Sequence, residues 1–327
     1  MKAAVYDRYG ASDVVQIRDV GQPVPKDNEV LIKVRAASVN PLDWHTMRGT
    51  PYLARMMGGL RKPKDNRLGV DVAGQVEAIG RNVTLFKPGD EVFGMCKGAF
   101  AEYACISEAP LAGSVLVLKP DTVTFEQAAS LPVATFTALQ GLRDKGRIPP
   151  GQKVLINGAA GGVGTFAVQI ARSFGADVIG VCSTSNVDMV RSLGADSVID
   201  YTVENFTRSG RRYDLILDCV GNHHLLACKR VLNPKGICIV ITGPDGPWLG
   251  PVARMLQALV LSPFVSHRIV PFIARLRKDD LMFMLDLMKS GKVTPVIDRQ
   301  YRLNELPEAI RYVEEGHARG KVIITLG

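Results

Sequence analysis

None of the six cysteines (Cys96, Cys105, Cys182, Cys219, Cys228, Cys238) belongs to a C-x-x-C pair. That argues against a disulfide framework, and four of them sit in or beside apolar, strand-like runs, as buried reduced thiols of a cytoplasmic protein do. Aromatic residues are also scarce, at 6%. No basic stripe interleaved with aromatic rings appears, so the platform that single-stranded RNA needs is missing and no nucleic-acid partner is expected. Long apolar runs are lacking too. The greasiest stretch, from Met255, has a charge-free run of about a dozen residues interrupted by Pro263, whereas a membrane span needs roughly twenty. The opening MKAAVYDRYG carries charges where a signal peptide needs an apolar core.

What is present describes a globular chain, 46% apolar and 22% charged. At 327 residues it is long for one core and is expected to divide into two domains. A formal charge of +8 suits an anionic partner, a phosphorylated cofactor among them. The basic residues are scattered, however, and short clusters such as Arg208-Arg211-Arg212 and Arg275-Arg277-Lys278 read as solvated surface.

The middle of the chain is more specific. KVLIN at 153–157 is a short strand-like run leading into GAAGGVG at 158–164. Beyond it Val163, Phe166, Ala167, Ile170, Ala171 and Phe174 recur at helical spacing. Strand, glycine loop and helix follow in the order a nucleotide site requires, because a diphosphate must approach backbone N–H groups at a helix N-terminus without side chains in the way. Ala159, Gly161 and Gly164 fill the three positions of G-x-G-x-x-G, with Ala in place of the first Gly. Two segments, SFGAD (173–177) and SLGAD (192–196), each read as a helix ending on a Gly cap before a strand. With DLILDCV and ICIVIT further on, the β-α-β-α-β order gives a parallel, doubly wound sheet.

The end of the second strand of this sheet decides the dinucleotide. An Asp or Glu there would bind the adenosine ribose hydroxyls of NAD, whereas the sequence offers Cys182-Ser183-Thr184-Ser185-Asn186. No acid opposes a 2′-phosphate at that point and hydroxyls are available, so NADPH is expected. Asp188 and Asn186 are read as the start of the next helix, and Arg191 is the nearest cation in sequence.

The flanks differ. EVLIKVRAASVN sets Val30, Ile32 and Val34 against Leu31, Lys33 and Arg35, the period of a half-exposed strand. Short strands recur at VDVAGQVEAIG, DEVFGM and AEYACI, and the chain closes on VIDRQYRL, a helix and KVIITL. An antiparallel β domain is expected over 1–121, rejoined by 293–327, with the parallel domain over 122–292.

These motifs (EVLIKVRAASVNPLDW, LGVDVAGQVEAIG, KPGDEVFG, EQAASLPVATFTAL, GQKVLINGAAGGVGTFAVQIA and HARGKVIITL) resemble, over nearly the whole chain, the zinc-free quinone oxidoreductase branch of the medium-chain dehydrogenase/reductase superfamily. The resemblance implies an α/β fold: a GroES-like antiparallel β catalytic domain plus a Rossmann domain, with the active site in the cleft between them. Homodimers are common in that family. Its alcohol dehydrogenase branch holds catalytic zinc at positions matching Asn40, Val70 and about Ala134. Asn is a poor zinc ligand and Val and Ala cannot bind zinc, so no metal is expected.

Without a Lewis acid, alcohol oxidation loses its support, whereas quinones, enones and enals accept hydride to give delocalised anions that a hydrogen-bond donor can steady. The resemblance places Asn40, Asp43, His45 and Tyr52 against the nicotinamide. Asn40 and Tyr52 are read as polar wall, Asp43 as orienter or turn former, and His45 as proton donor or partly exposed loop histidine. For the cofactor it implies Asn157, Gly158, Ala159, Ala160, Gly161, Gly162 and Val163 at the pyrophosphate, and Thr137 and Gly243 near the nicotinamide. Ser183, Thr184, Ser185 and Tyr201 would face the ribose phosphate. Lys321 matches a basic position near the pyrophosphate or stands on the surface. Segments 51–62 and 252–278 would line a roomy apolar acceptor cleft with a basic rim, or serve core packing or a dimer seam. The competing readings are an enoyl-thioester reductase and a non-enzymatic binding protein on the same fold.

Overall fold

The computed structural model describes residues 1–109, 113–242, 253–254, 256–258 and 268–327. In chain order the first half forms β1 (Lys2–Val5), β2 (Gln16–Asp19), β3 (Glu29–Val39), α1 (Pro41–Arg48), α2 (Arg55–Gly58), β4 (Asp71–Ile79), β5 (Glu91–Met95), β6 (Tyr103–Ser107), β7 (Val115–Leu118), α3 (Phe125–Ala129) and α4 (Pro132–Gln140). Then come β8 (Lys153–Asn157), α5 (Gly162–Ser173), β9 (Asp177–Cys182), α6 (Val187–Ser192), β10 (Ser197–Asp200), β11 (Tyr213–Asp218), α7 (Leu225–Arg230), β12 (Leu232–Val240) and β13 (Arg268–Pro271). The chain ends with α8 (Lys278–Lys289), β14 (Ile297–Arg302), α9 (Leu306–Glu314) and β15 (Lys321–Thr325).

Two compact units result, Met1–Val133 with Leu276–Phe283 and Ile297–Gly327, and Ala134–Arg275 with Met284–Val296. The first boundary thus falls after Val133 instead of residue 121, because α3 packs on β3, β4 and β5 and belongs with their sheet. The second division runs through α8 and Val296 instead of at 292/293.

In the first unit the sheet order is β14-β15-β3-β4-β5-β7, with β6 also on β3. The closing strand β15 lies antiparallel to β3, Val322 opposite Val39. Val30, Ile32 and Val34 are buried as their alternation requires, but Leu31 is buried as well. The reason is that β3 is not half-exposed: β4 and β6 flank it on both edges, bringing Ala78 and Cys105 beside Leu31. Tyr6, Met47, Phe86 and Phe100 share this core with Leu306, Ala309 and Ile310 of α9, the i, i+3, i+4 face of that helix.

In the second unit six strands run parallel in the order β10-β9-β8-β11-β12-β13. Numbered from β8, this is the 3-2-1-4-5-6 order of dinucleotide-binding sheets, whose order reverses between β8 and β11. The buried runs Val154–Ile156 and Leu215–Leu217 suit strands covered on both faces. Phe166, Ala167, Ile170 and Ala171 seat α5 as its periodicity requires. Burial of Phe166 alone stabilises by about 2 kcal/mol. Gly175 (φ 78) and Gly194 (φ 103) take the left-handed conformation that ends each helix. Among the described residues no helix is long and apolar enough to cross a membrane. Much of the apolar stretch after Met255, and Gly243, lie outside the described residues.

Candidate functional site

The segment of Asp43 and His45, read as turn former and loop histidine, is helical from Pro41 onward. Pro at the first helical position costs no hydrogen bond, and Asn40 in extended conformation begins the helix. Asp43, one turn in, accepts the Asn40 backbone N–H at 2.7 Å, which frees the Asn40 side chain to turn inward. Its Nδ2 donates to Asp71 Oδ2 at 2.9 Å and to the Ser38 carbonyl at 3.2 Å. Its Oδ1 accepts from the Lys321 ammonium at 2.6 Å. Lys321 also reaches Asp71 Oδ2 at 3.4 Å, and Ser38 Oγ donates to the same oxygen at 2.9 Å. The Val133 N–H takes the other oxygen of Asp71 at 3.1 Å.

Strand register assembles this cluster. Ser38 at the end of β3 stands opposite Asp71 at the start of β4, and β15 begins with Lys321 next to the Val322–Val39 pair. Asn40, Asp43, Asp71 and Lys321 are each at most 3% exposed. Burial pushes the Asp71 carboxyl up and the Lys321 ammonium down, each opposed by the other's charge. Burial likewise pushes Asp43 up to about 7, opposed by the Asn40 N–H and reinforced by the Asp71 charge.

Several expectations change here. Both Asn40 amide hydrogens are spent inside the cluster, so Asn40 is not a donor waiting for a substrate, and its carbonyl oxygen already holds a cation. Lys321 is not on the surface. Asp71 and Ser38 were missed, although Asp71 directly follows Val70 in the LGVD motif. His45 lies on the helix instead of a loop, stacked on Trp44 with ring centroids 3.6 Å apart, and Trp44 packs into the core. Tyr52 is 37% exposed with Arg55 4.5 Å above its ring. Among the described residues no three His, Cys, Asp or Glu side chains are grouped to hold a metal.

In the second unit, Asn157 and Asp218 end β8 and β11 in register, at the point where the strand order reverses. Asn157 Nδ2 bridges Asp218 Oδ1 at 2.8 Å and Asn222 Oδ1 at 3.0 Å. Asp218, fully buried, also accepts the Gly221 N–H at 2.9 Å and the Arg254 guanidinium at 2.5 Å. Neither Asp218 nor Arg254 was singled out from sequence; only their pairing in space marks them.

The glycine loop leaves β8 through Gly158 at φ +84. Gly161 then caps α5, whose first internal bond joins the Thr165 N–H to the Gly161 carbonyl, leaving the amides of Gly162, Val163 and Gly164 without intrahelical acceptors. A Cβ on Gly164 would stand 2.0 Å from the Gly158 carbonyl oxygen, so only glycine permits this approach of helix to loop. Ala159 at the first motif position is tolerated because its methyl lies over Gly180, which has no side chain. Ala160 is buried beside it. Free amides at a twelve-residue helix start, over a loop with no obstructing side chain, fit a dinucleotide pyrophosphate. Thr137 is largely buried on α4.

The ribose end requires a correction. No acid stands directly after β9 in the Ser183–Asn186 stretch, but in space Asp200 ends the neighbouring strand β10 opposite Cys182. Its carboxylate takes the Thr184 hydroxyl at 2.5 Å and the Thr202 N–H at 2.9 Å. The parallel register of β9 and β10 brings in this acid, which a reading along one strand cannot see. Ser183 Oγ lies 3.3 Å from Ser185 Oγ and accepts from Asn186 Nδ2 at 3.0 Å. Tyr201 is exposed, its N–H bonded to the Cys182 carbonyl.

Comparison with known proteins agrees with this geometry. Residues 26–115 match the model of the alcohol dehydrogenase GroES-like domain, and 193–324 match a model described as zinc-binding dehydrogenase. The human mitochondrial NAD(P)H oxidoreductase RTN4IP1 is 36% identical, covering 100% of this chain and 89% of its own. The 2-methylene-furan-3-one reductase of Solanum lycopersicum is 34% identical over 99% of this chain and 79% of its own. The solved quinone oxidoreductase of Coxiella burnetii superposes with a TM-score of 0.88 at 29% identity, covering 100% and 99% of the two chains. With two unit folds, a glycine loop at the strand-order reversal and full-length relatives, the chain is an oxidoreductase belonging to the quinone-oxidoreductase type of the medium-chain dehydrogenase/reductase superfamily.

Proposed function

We propose that this chain is a zinc-independent, NADPH-dependent reductase of quinones or α,β-unsaturated carbonyls. The observation that carries the reading is the Lys321 ammonium on Asn40 Oδ1. Asn40 matches a zinc-ligand position of the alcohol dehydrogenase branch, and here its oxygen is engaged by a buried cation that is itself paired with Asp71. A metal would have to displace that ammonium, and Val70 has no atom to replace the lost bond. The names of the tomato and Coxiella relatives, an enone reductase and a quinone oxidoreductase, support the acceptor class.

When bound, the dinucleotide supplies the hydride. Asn157 to Val163 would hold its pyrophosphate on the free amides of α5, Ser183, Ser185 and Tyr201 its ribose phosphate, and Thr137 and Gly243 its nicotinamide end. Lys321 and Asn40 would set the field in which charge develops on an acceptor oxygen, and preorganised groups of this kind supply most of such stabilisation. Asp43, pushed to about 7, can exchange a proton near neutral pH. Six unpaired cysteines support a reducing, cytoplasmic setting, and a homodimer without nucleic-acid or membrane partners completes the proposal.

The test is NADPH oxidation against a quinone, a short enone and a crotonyl thioester. Turnover of the first two is expected. Activity on the thioester alone would replace this acceptor class with enoyl thioesters, and salt-sensitive nucleic-acid binding with no turnover would favour a non-enzymatic role.

A further inference from the structure

The first unit contains a cavity of about 300 Å³. That is room for about ten waters at about 30 Å³ each, at the lower end of the size of small-molecule sites. Strand pairing builds it. β1 lies antiparallel to β2 and is bridged on its other edge by Arg67 and Ala101. These two strands, β6 and the turns at 66–67 and 97–98 therefore enclose one space, whose apolar lining includes Val5, Val20, Pro23, Ala101 and Ala104.

Every charged side chain in its wall is a cation: Arg18, Arg67 and Lys97. The two guanidiniums are already engaged. Arg18 donates to Asp7 at 2.5 Å, and Arg67 forks onto Asp65 through bonds of 2.9 and 2.7 Å. Lys97 makes no ion pair or hydrogen bond among the described residues, and neither does the Tyr103 hydroxyl in the same wall. Among these groups three cations meet two carboxylates, leaving one positive charge in excess. A phosphate, at about −1.5 to −2 charges, asks for more than that. One ammonium and one hydroxyl donor match a single carboxylate. Burial pushes the Cys105 thiol, also in the wall, up to about 11, so at neutral pH it stays uncharged and does not repel an anion.

We propose that this cavity is a further small-molecule site, which takes a compact apolar monocarboxylate of about ten non-hydrogen atoms, its chain against Val5, Val20 and Ala104 and its carboxylate on Lys97 and Tyr103. The site lies wholly within the first unit and needs neither dinucleotide nor acceptor, so it stands apart from the reductase reading. Burial of the chain supplies affinity. The ammonium supplies discrimination: an ion contact at about 4 Å in a solvated setting is worth about fivefold, less as salt rises.

The test titrates octanoate and its neutral counterpart octanamide calorimetrically into the whole chain at low salt, with no cofactor added. Octanoate is expected to bind about fivefold tighter than octanamide. Lys97→Met is expected to make the two equal, whereas Lys87→Met, the same change at an exposed lysine outside the cavity, leaves the preference intact. Location is read separately on the wild type, which serves if Lys97→Met does not fold. Octanoate is expected to slow alkylation of Cys105 by iodoacetamide at about pH 9, where more of the thiol is ionised, followed by mass spectrometry. Four results would overturn the proposal: no octanoate binding up to about 10 mM, octanamide binding as tightly in the wild type, a preference that survives Lys97→Met, or octanoate binding that leaves Cys105 unprotected.

Discussion

Lys321 Nζ lies 2.6 Å from Asn40 Oδ1, joining residues 281 positions apart in the chain. The closing strand thereby places a cation at the helix start that follows β3, in a cluster whose Asn40, Asp43, Asp71 and Lys321 are each at most 3% exposed. Burying an ammonium and a carboxylate is costly unless each is paired, and Lys321 and Asp71 provide that for each other. Lys321→Met is expected to destabilise the first unit by about 3–5 kcal/mol, since Asp71 would remain buried without its cation. Adding Asp71→Asn should recover part of the loss, because removing both charges leaves none unpaired. Thermal unfolding of the single and double variants checks this, and a double variant no better than Lys321→Met would contradict the pairing.

Asp43 gives the cluster a pH dependence of definite sign. The native state keeps the Asp43 proton up to about pH 7, while the unfolded chain releases it near 3.8. Between those values the native state binds more protons, so this group makes stability fall as pH rises from about 4 to about 7, then level off. The upper bound is about 4 kcal/mol at 1.36 kcal/mol per pKa unit. Charges facing it are Asp71, which reinforces the effect, and Lys321, which opposes it. Asp43→Asn, whose amide oxygen can still accept the Asn40 N–H, is expected to flatten the dependence of denaturant stability between pH 5 and 7. An unchanged slope would contradict the assignment.

The glycine loop makes a third prediction. Gly164→Ala would bring a Cβ to 2.0 Å from the Gly158 carbonyl oxygen, where backbone must move. An overpacking cost of about 1–3 kcal/mol is expected, together with NADPH binding weakened at least about tenfold if the displaced loop holds the pyrophosphate. Fluorescence titration reads the affinity. Wild-type affinity with an intact fold would remove the loop from the cofactor site.

Much of this molecule is legible along the chain because the signals are local. The alternation of β3, the helical stripe of α5, the Gly caps at 175 and 194 and the glycine loop each depend on neighbours a few positions away. What was not legible depends on register between distant segments. Leu31 looked outward until β6 came down beside it, and Asp200 was invisible from β9 because it arrives on β10. Asn40 reads as polar wall because nothing in the sequence around it reveals that Asp71 and Lys321 consume its hydrogen bonds. Arg254 and Asp218 lie 36 positions apart and announce themselves only as a buried pair.

The central claim is hydride transfer without zinc at a site whose cation is Lys321. It is tested most directly by measuring zinc content and NADPH-dependent quinone and enone reduction on the same sample, before and after exhaustive chelation. The expected result is substoichiometric zinc and an undiminished rate. Stoichiometric zinc, lost together with activity on chelation and restored by readdition, would contradict it.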